Sequence, residues 1–180
     1  RHATLNNWDD IQRKKVGIGS RVFIRRSNDV IPEILAAVEG DIPERQAEKP
    51  AVCPACGAHV EQRGAHIFCT NSLSCAPQIA GRLAHYASRD AMDIDTFSEK
   101  TAALLVEEMQ LKSIPDLYDM TAEDFAGLPG FKEKKTGNLI AAIEKSKDCS
   151  LGAFVFAIGI PNVGSKTARD LARHFGSLDA

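Results

Sequence analysis

"IPNVGSKTARDL" occupies residues 160–171 and has two relatives earlier in the chain, "LPGFKEKKTGNL" at 128–139 and "IDTFSEKTAALL" at 94–105. The three align without gaps. Ile94, Leu128 and Ile160 fall together, as do Phe97, Phe131 and Val163, and Leu105, Leu139 and Leu171. Each copy reads as an apolar residue, a short turn, a second apolar residue and the start of a helix. Self-similarity at a fixed period of a few tens of residues marks a repeated supersecondary unit.

The pattern resembles the helix-hairpin-helix motif, whose turn reads roughly apolar-x-Gly-apolar-Gly before its second helix. Glycine turns let backbone approach a phosphate closely. The first N–H groups of the following helix lack intrahelical partners, and the helix dipole favours an anion there. Copy three has Asn162 at the first glycine position and keeps Gly164; Asn tolerates left-handed backbone. Copy two keeps Gly130 and has Lys132 at the second. Copy one has Thr96 and Ser98, so both glycines are gone. Nucleic-acid contact is therefore expected at Gly130, Phe131, Lys132, Lys134 and Lys135, and at Asn162, Val163, Gly164, Ser165 and Lys166. Copy one is expected to be structural. A plain array of packed helical hairpins, with lysines that are merely solvated, is the competing reading.

Helical spacing of apolar residues surrounds the repeats. It predicts helices over 77–87, 99–110, 133–147 and 165–175, with Gly176 as a C-cap. Residues 150–159, "SLGAFVFAIG", are apolar on most faces and predict a buried helix. Cys149 beside it is expected to be a buried structural thiol.

Upstream, "CPACGAHVEQRGAHIFCTNSLSC" (53–75) holds four of five cysteines as C-x2-C-x12-C-x5-C. Cys53, Cys56, Cys69 and Cys75 suit a closed tetrahedral structural Zn²⁺ site, one per chain. Two disulfides fit less well, since nothing indicates secretion. An iron–sulfur cluster normally uses other spacings, and a redox pair would want a βαβ context. His59 and His66 are left out, because four thiolates complete the sphere.

Residues 1–38 read as strands and turns, with strands at 21–26 and 30–38. Too few strands are present for an independent sheet. Residues 39–50, "EGDIPERQAEKP", read as a linker. The whole is therefore an α+β multidomain chain: β-strands over 1–38, a linker over 39–50, a four-cysteine zinc finger over 51–76 and a mostly helical array over 77–180. Its 180 residues allow one or two domains. Net charge is −2, but residues 1–38 carry seven Lys/Arg against four Asp/Glu while 81–180 carry twelve against fifteen. A nucleic-acid partner must then be held by local groups rather than by a global field. No apolar run approaches a membrane span, and no signal peptide opens the chain. Starting at Arg1 without Met, it reads as part of a longer protein.

The order of these parts is similar to the middle and later portion of the bacterial NAD-dependent DNA ligases. "ATLNN", "KVGIGSRV", "RRSNDVIPE", "CPACG", "CTNSLSCAPQ", "LPGF", "AAIEKSK", "GIPNVGSKTA" and "LARHFGSLDA" carry the resemblance. The chain departs from the family at Ser27-Asn28, where Ala-Gly is usual, and at Asn6 or Asn7, where a His is usual. The resemblance implies that 1–38 is the closing part of an oligonucleotide-binding (OB) barrel, lying at the minor groove near a nick. Arg25, Arg26 and Asn28 are then its candidate DNA contacts. It implies a cytoplasmic, monomeric enzyme that seals nicks in duplex DNA in replication and repair, with NAD as AMP donor and Mg²⁺. NAD and Mg²⁺ would bind outside this segment. No K-x-D-G occurs here, so the segment alone is expected to be inactive, to have no catalytic residue and to grip DNA. The alternatives are a stand-alone helix-hairpin-helix module of a repair nuclease and a zinc-stapled protein-interaction adaptor.

Overall fold

The computed structural model describes residues 2–27 and 30–179, so Asn28 lies outside the described residues. The chain divides into two compact units, Arg1–Asn71 and Ser72–Ala180.

The first unit opens with a helix that the sequence reading did not anticipate, α1 (Trp8–Arg13). Six residues are too few to display a helical period. Local chemistry defines it instead. The Asn7 side chain accepts the Asp10 N–H, Asp9 and Asp10 stand in the first turn, and Arg13 stands in the last. Strands β1 (Val22–Ser27) and β2 (Ile31–Ala37) pair antiparallel, with a bulge between Phe23 and Ile24. Thr4 extends the pairing, donating to the Pro32 carbonyl and accepting from the Ile34 N–H. Lys14 fastens α1 to β2: its ammonium lies 3.1 Å from Asp10 and 3.9 Å from Glu33, with the side chain almost wholly buried.

Residues 39–50 carry no helix or strand, yet they are tied down. Ile18 N–H donates to Arg45 O at 2.8 Å. A Cβ on Gly17 would sit 2.6 Å from Pro43 and 2.7 Å from Arg45 O, so glycine is what allows this crossing. The cysteine segment supplies a second antiparallel hairpin, β3 (Val60–Arg63) and β4 (His66–Cys69).

The second unit is helical: α2 (Ala76–Tyr86), α3 (Glu99–Glu108), α4 (Ile114–Tyr118), a 3-10 turn (Ala122–Phe125), α5 (Glu133–Ser146), α6 (Leu151–Ala157) and α7 (Ser165–Phe175). The four longer helices match the predicted spans to within two residues, and Gly176 caps α7 in the left-handed region. Helix α2 packs on α3, the 3-10 turn on α5, and α6 on α7. Leu83, Leu105, Leu117, Phe125 and Leu139 are fully buried between them. One polar chain crosses this core: Tyr86 and Tyr118 hydroxyls meet at 2.9 Å, and Tyr118 meets Ser146 at 2.9 Å. Burial and the Tyr118 bond raise the Tyr86 phenol pKa well above its ordinary value, so the hydroxyl stays protonated.

Two expectations need correction. Helix α6 is seven residues long, and only Gly152 and Ala157 are buried. Its other apolar side chains are half-exposed: Phe154 and Phe156 lie against the margin of the core while the helix packs on α7. Cys149 is exposed. α5 ends at Ser146, which leaves Cys149 in the connection before the Ser150 cap.

The repeat position shared by Leu139 and Leu171 gives a direct test of the packing. Leu139 is fully buried and Leu171 half-buried. Leu139→Ala is expected to lower stability by about 2–5 kcal/mol and Leu171→Ala by about 1 kcal/mol. Urea unfolding measures both; equal losses would contradict this core.

Candidate metal centre and nucleic-acid interface

Cys53 and Cys56 sit on a tight knuckle. Gly57 takes a φ of 70° and its N–H donates to the Cys53 carbonyl, while Cys53 N–H donates to Ala58 O. Cys69 ends β4, and Cys75 is the N-cap of α2. The four sulfurs lie within 4.8 Å of one another. A tetrahedron with metal–sulfur bonds of about 2.3 Å has edges of roughly 3.8 Å. Cys56 and Cys69 sulfurs are 3.5 Å apart, close to that edge and far beyond the roughly 2.05 Å of an S–S bond. Backbone N–H groups of Cys56, then of Ala55, donate to Cys53 and hold its thiol down to about 7, which favours the thiolate that a metal requires. The donor set therefore fits a metal ion. His59 and His66 are exposed and stand outside the cluster.

The three repeats share one backbone. In each, the first apolar residue's carbonyl accepts from the second apolar residue's N–H: Ile94 from Phe97 at 3.3 Å, Leu128 from Phe131 at 3.1 Å, Ile160 from Val163 at 3.0 Å. The second of the two residues between them is left-handed every time, with φ of 68° at Thr96, 78° at Gly130 and 65° at Asn162. An extended N-cap follows (Ser98, Lys132 or Gly164), and its carbonyl accepts the first helical bond. Copy one lacks both glycines, yet its turn has the same form. Thr96 keeps it at a cost, since left-handed backbone disfavours a β-branched residue. The gap-free register of the three copies was the signal for this.

What differs is the helix end. Ser98 Oγ accepts the Thr101 N–H at 3.2 Å in copy one. Lys132 and Gly164 make no side-chain cap, so their first-turn N–H groups are open to an external acceptor. Glu99 and Glu133 stand in the first turns of α3 and α5, whereas α7 has no acid there. Gly130, Lys132, Lys134, Asn162, Gly164 and Lys166 are exposed around these turns. Ser165 and Val163 are half-buried. Phe131 points into the core against Phe125, ring centres 5.0 Å apart. Lys135 lies over the Phe131 ring at 3.9 Å, which draws its charge toward the hairpin.

Arg25 and Arg26 are both exposed on β1. As consecutive strand residues they project to opposite faces, so they do not form one patch. Arg25 reaches Glu33 at 3.6 Å, and Arg26 lies across from Pro32. Among the described residues, no helix is long and apolar enough to cross a membrane.

Comparison with known proteins bears on both features. Residues 1–46 match the NAD-dependent DNA ligase OB-fold domain, and residues 153–180 match a helix-hairpin-helix motif. The chain is 61% identical over 179 residues to a DNA ligase of Alkaliphilus oremlandii, 56% identical over 180 residues to DNA ligase 2 of Clostridium acetobutylicum, and 51% identical over 181 residues to a DNA ligase of Clostridium botulinum. Each match covers 99% or more of this chain and 27% of the relative. With an OB-fold match at one end, a helix-hairpin-helix match at the other and a four-cysteine cluster between them, the chain belongs to the NAD-dependent DNA ligase family, spanning about a quarter of the length of its curated relatives.

Proposed function

We propose that this segment grips nicked duplex DNA for a ligase that seals the nick with AMP drawn from NAD. Residues 1–38 supply the closing part of an OB barrel, 51–76 a zinc finger and 77–180 the hairpin array, joined through 39–50. The observation that carries this reading is the pair of uncapped helix starts after Gly130 and Asn162, each preceded by the same left-handed turn. Backbone N–H groups there bind phosphate without regard to base sequence. That suits an enzyme which must act at any nick. Lys132, Lys134, Lys135 and Lys166 add charge beside these turns, and Arg25 and Arg26 do so on β1. Cys53, Cys56, Cys69 and Cys75 hold one structural Zn²⁺, which has no open position and no redox chemistry.

The segment carries no K-x-D-G lysine, so it forms no enzyme–AMP adduct by itself. Nucleotidyl transfer, with NAD and Mg²⁺, belongs to other parts of the full-length ligase. The segment acts as a monomer, and its setting is the cytoplasm.

Fluorescence anisotropy with a labelled nicked duplex tests the reading. If three to six basic side chains meet phosphates, affinity falls about 40- to 2,000-fold between 50 and 200 mM salt. Tight binding with almost no salt dependence would remove the lysines and arginines from the interface. Absence of binding by the zinc-loaded chain would make it a protein-interaction adaptor instead.

A further inference from the structure

We infer that His85 is a positioning residue for the third hairpin, holding in place the turn that presents Gly164 and the start of α7. This rests on the DNA-binding reading above and adds a residue that neither the repeat pattern nor the charge pattern marks.

Core packing does not hold this hairpin as it holds the other two. In copy one, Ile94 is 3% exposed and Phe97 is 8% exposed, so the turn is clamped by core packing. In copy two, Phe131 is 9% exposed and stacks on Phe125. In copy three, Ile160 is 43% exposed and the adjoining Ile158 is 44% exposed. The apolar anchor of this turn is thus largely outside the core. Between α6 and α7 the backbone is left-handed twice, at Gly159 and Asn162, and such a connection needs a fixed start to present a fixed end.

His85 supplies that start. It lies one position before the buried Tyr86 on α2, whose Ile79, Ala80, Leu83 and Tyr86 face the core. Its own side chain is half-buried and points across to α6. Nε2 lies 3.0 Å from the Phe156 carbonyl oxygen. As that oxygen can only accept, Nε2 carries the proton and donates. Phe156 is in the last turn of α6, where carbonyls lack helical partners. Gly159 N–H also donates to the same oxygen, at 3.1 Å. The imidazole also packs edge-on against the Phe156 ring, with centroids 4.8 Å apart and planes at 71°. It closes on Gly159 as well, where a Cβ would stand 3.5 Å from the ring. One side chain thereby fixes the end of α6, its C-terminal carbonyl and the first left-handed residue of the turn. A donor at a helix C-terminus is electrostatically favourable as well.

The test uses the whole zinc-loaded chain and a labelled nicked duplex. His85→Phe keeps an aromatic ring against Phe156 and removes the donor. His85→Gln restores a donor near the Nε2 position. Gly164→Val reports on the hairpin itself. His85→Phe is expected to bind about three- to tenfold more weakly, the loss of one hydrogen bond, and His85→Gln to recover most of it, with unchanged helicity in both. Should His85→Phe not fold, His85→Leu takes its place against the same His85→Gln. Weak binding that His85→Gln does not rescue would make the role one of packing alone and overturn the inference. So would full affinity in His85→Phe alongside weak binding in Gly164→Val. Full affinity in both would remove the third hairpin from the interface and overturn the DNA reading of that hairpin together with the inference.

Discussion

Removing the metal is expected to unfold residues 53–75 and to leave α3, α5 and α7 standing. The segment has almost no core of its own. Cys53 and Cys75 are buried, but Phe68 and Leu73 are 46% and 74% exposed. A β-hairpin with four-residue strands is marginal in water, and this one ends at Cys69. Metal binding in comparable small modules contributes on the order of 10 kcal/mol, far more than the exposed hairpin could replace. The helices of the second unit rest on Leu105, Leu117, Phe125 and Leu139 instead. Treatment with a strong chelator should therefore release one zinc per chain, open residues 53–75 to a protease and change helical circular dichroism little. Cys53→Ser should behave like the chelated protein. A metal-free chain that resists protease as well as the untreated one, or two disulfides by mass, would overturn the site.

Gly164→Val is expected to weaken binding to nicked duplex by tenfold or more while lowering stability by no more than about 1 kcal/mol, the cost of a poorer N-cap. The two effects separate because of local geometry. Gly164 has φ of −79° and ψ of 172°, extended backbone that any residue adopts, and a Cβ there would meet nothing within 4 Å. Valine fits the free protein. It fills the space over the first N–H groups of α7, where a phosphate would have to come closest. Gly130→Val is a less clean probe. Its φ of 78° is left-handed, so a β-branched residue adds roughly 1–3 kcal/mol of strain to any loss of binding. Anisotropy titrations paired with urea unfolding of both variants separate the contributions. Unchanged affinity in both would remove the hairpins from the interface.

Both predictions rest on features that sequence spacing already made legible. The C-x2-C-x12-C-x5-C spacing brought four thiols to one point because a knuckle and a hairpin are local structures. The repeat register carried the three turns, and helical spacing marked the four longer helices, because each depends on residues a few positions apart. The weaker readings were those without a local pattern. Helix α1 was too short to show a period, and it came from the Asn7 cap. The half-exposure of α6 and the exposure of Cys149 depended on which neighbour each met, and no spacing records that.

By itself, then, the sequence determined the thiolate cluster, the repeated hairpin and the family. Hydrogen bonds and turns along the chain follow from residue type at short range. Tertiary structure decided how each turn is held. It buried Ile94, Phe97 and Phe131 and left Ile160 43% exposed, a difference the repeat pattern does not carry. It also brought His85 to Phe156 across 71 residues. A contact that distant is fixed by how α2 and α6 pack, and side-chain packing between remote segments leaves no period in the sequence.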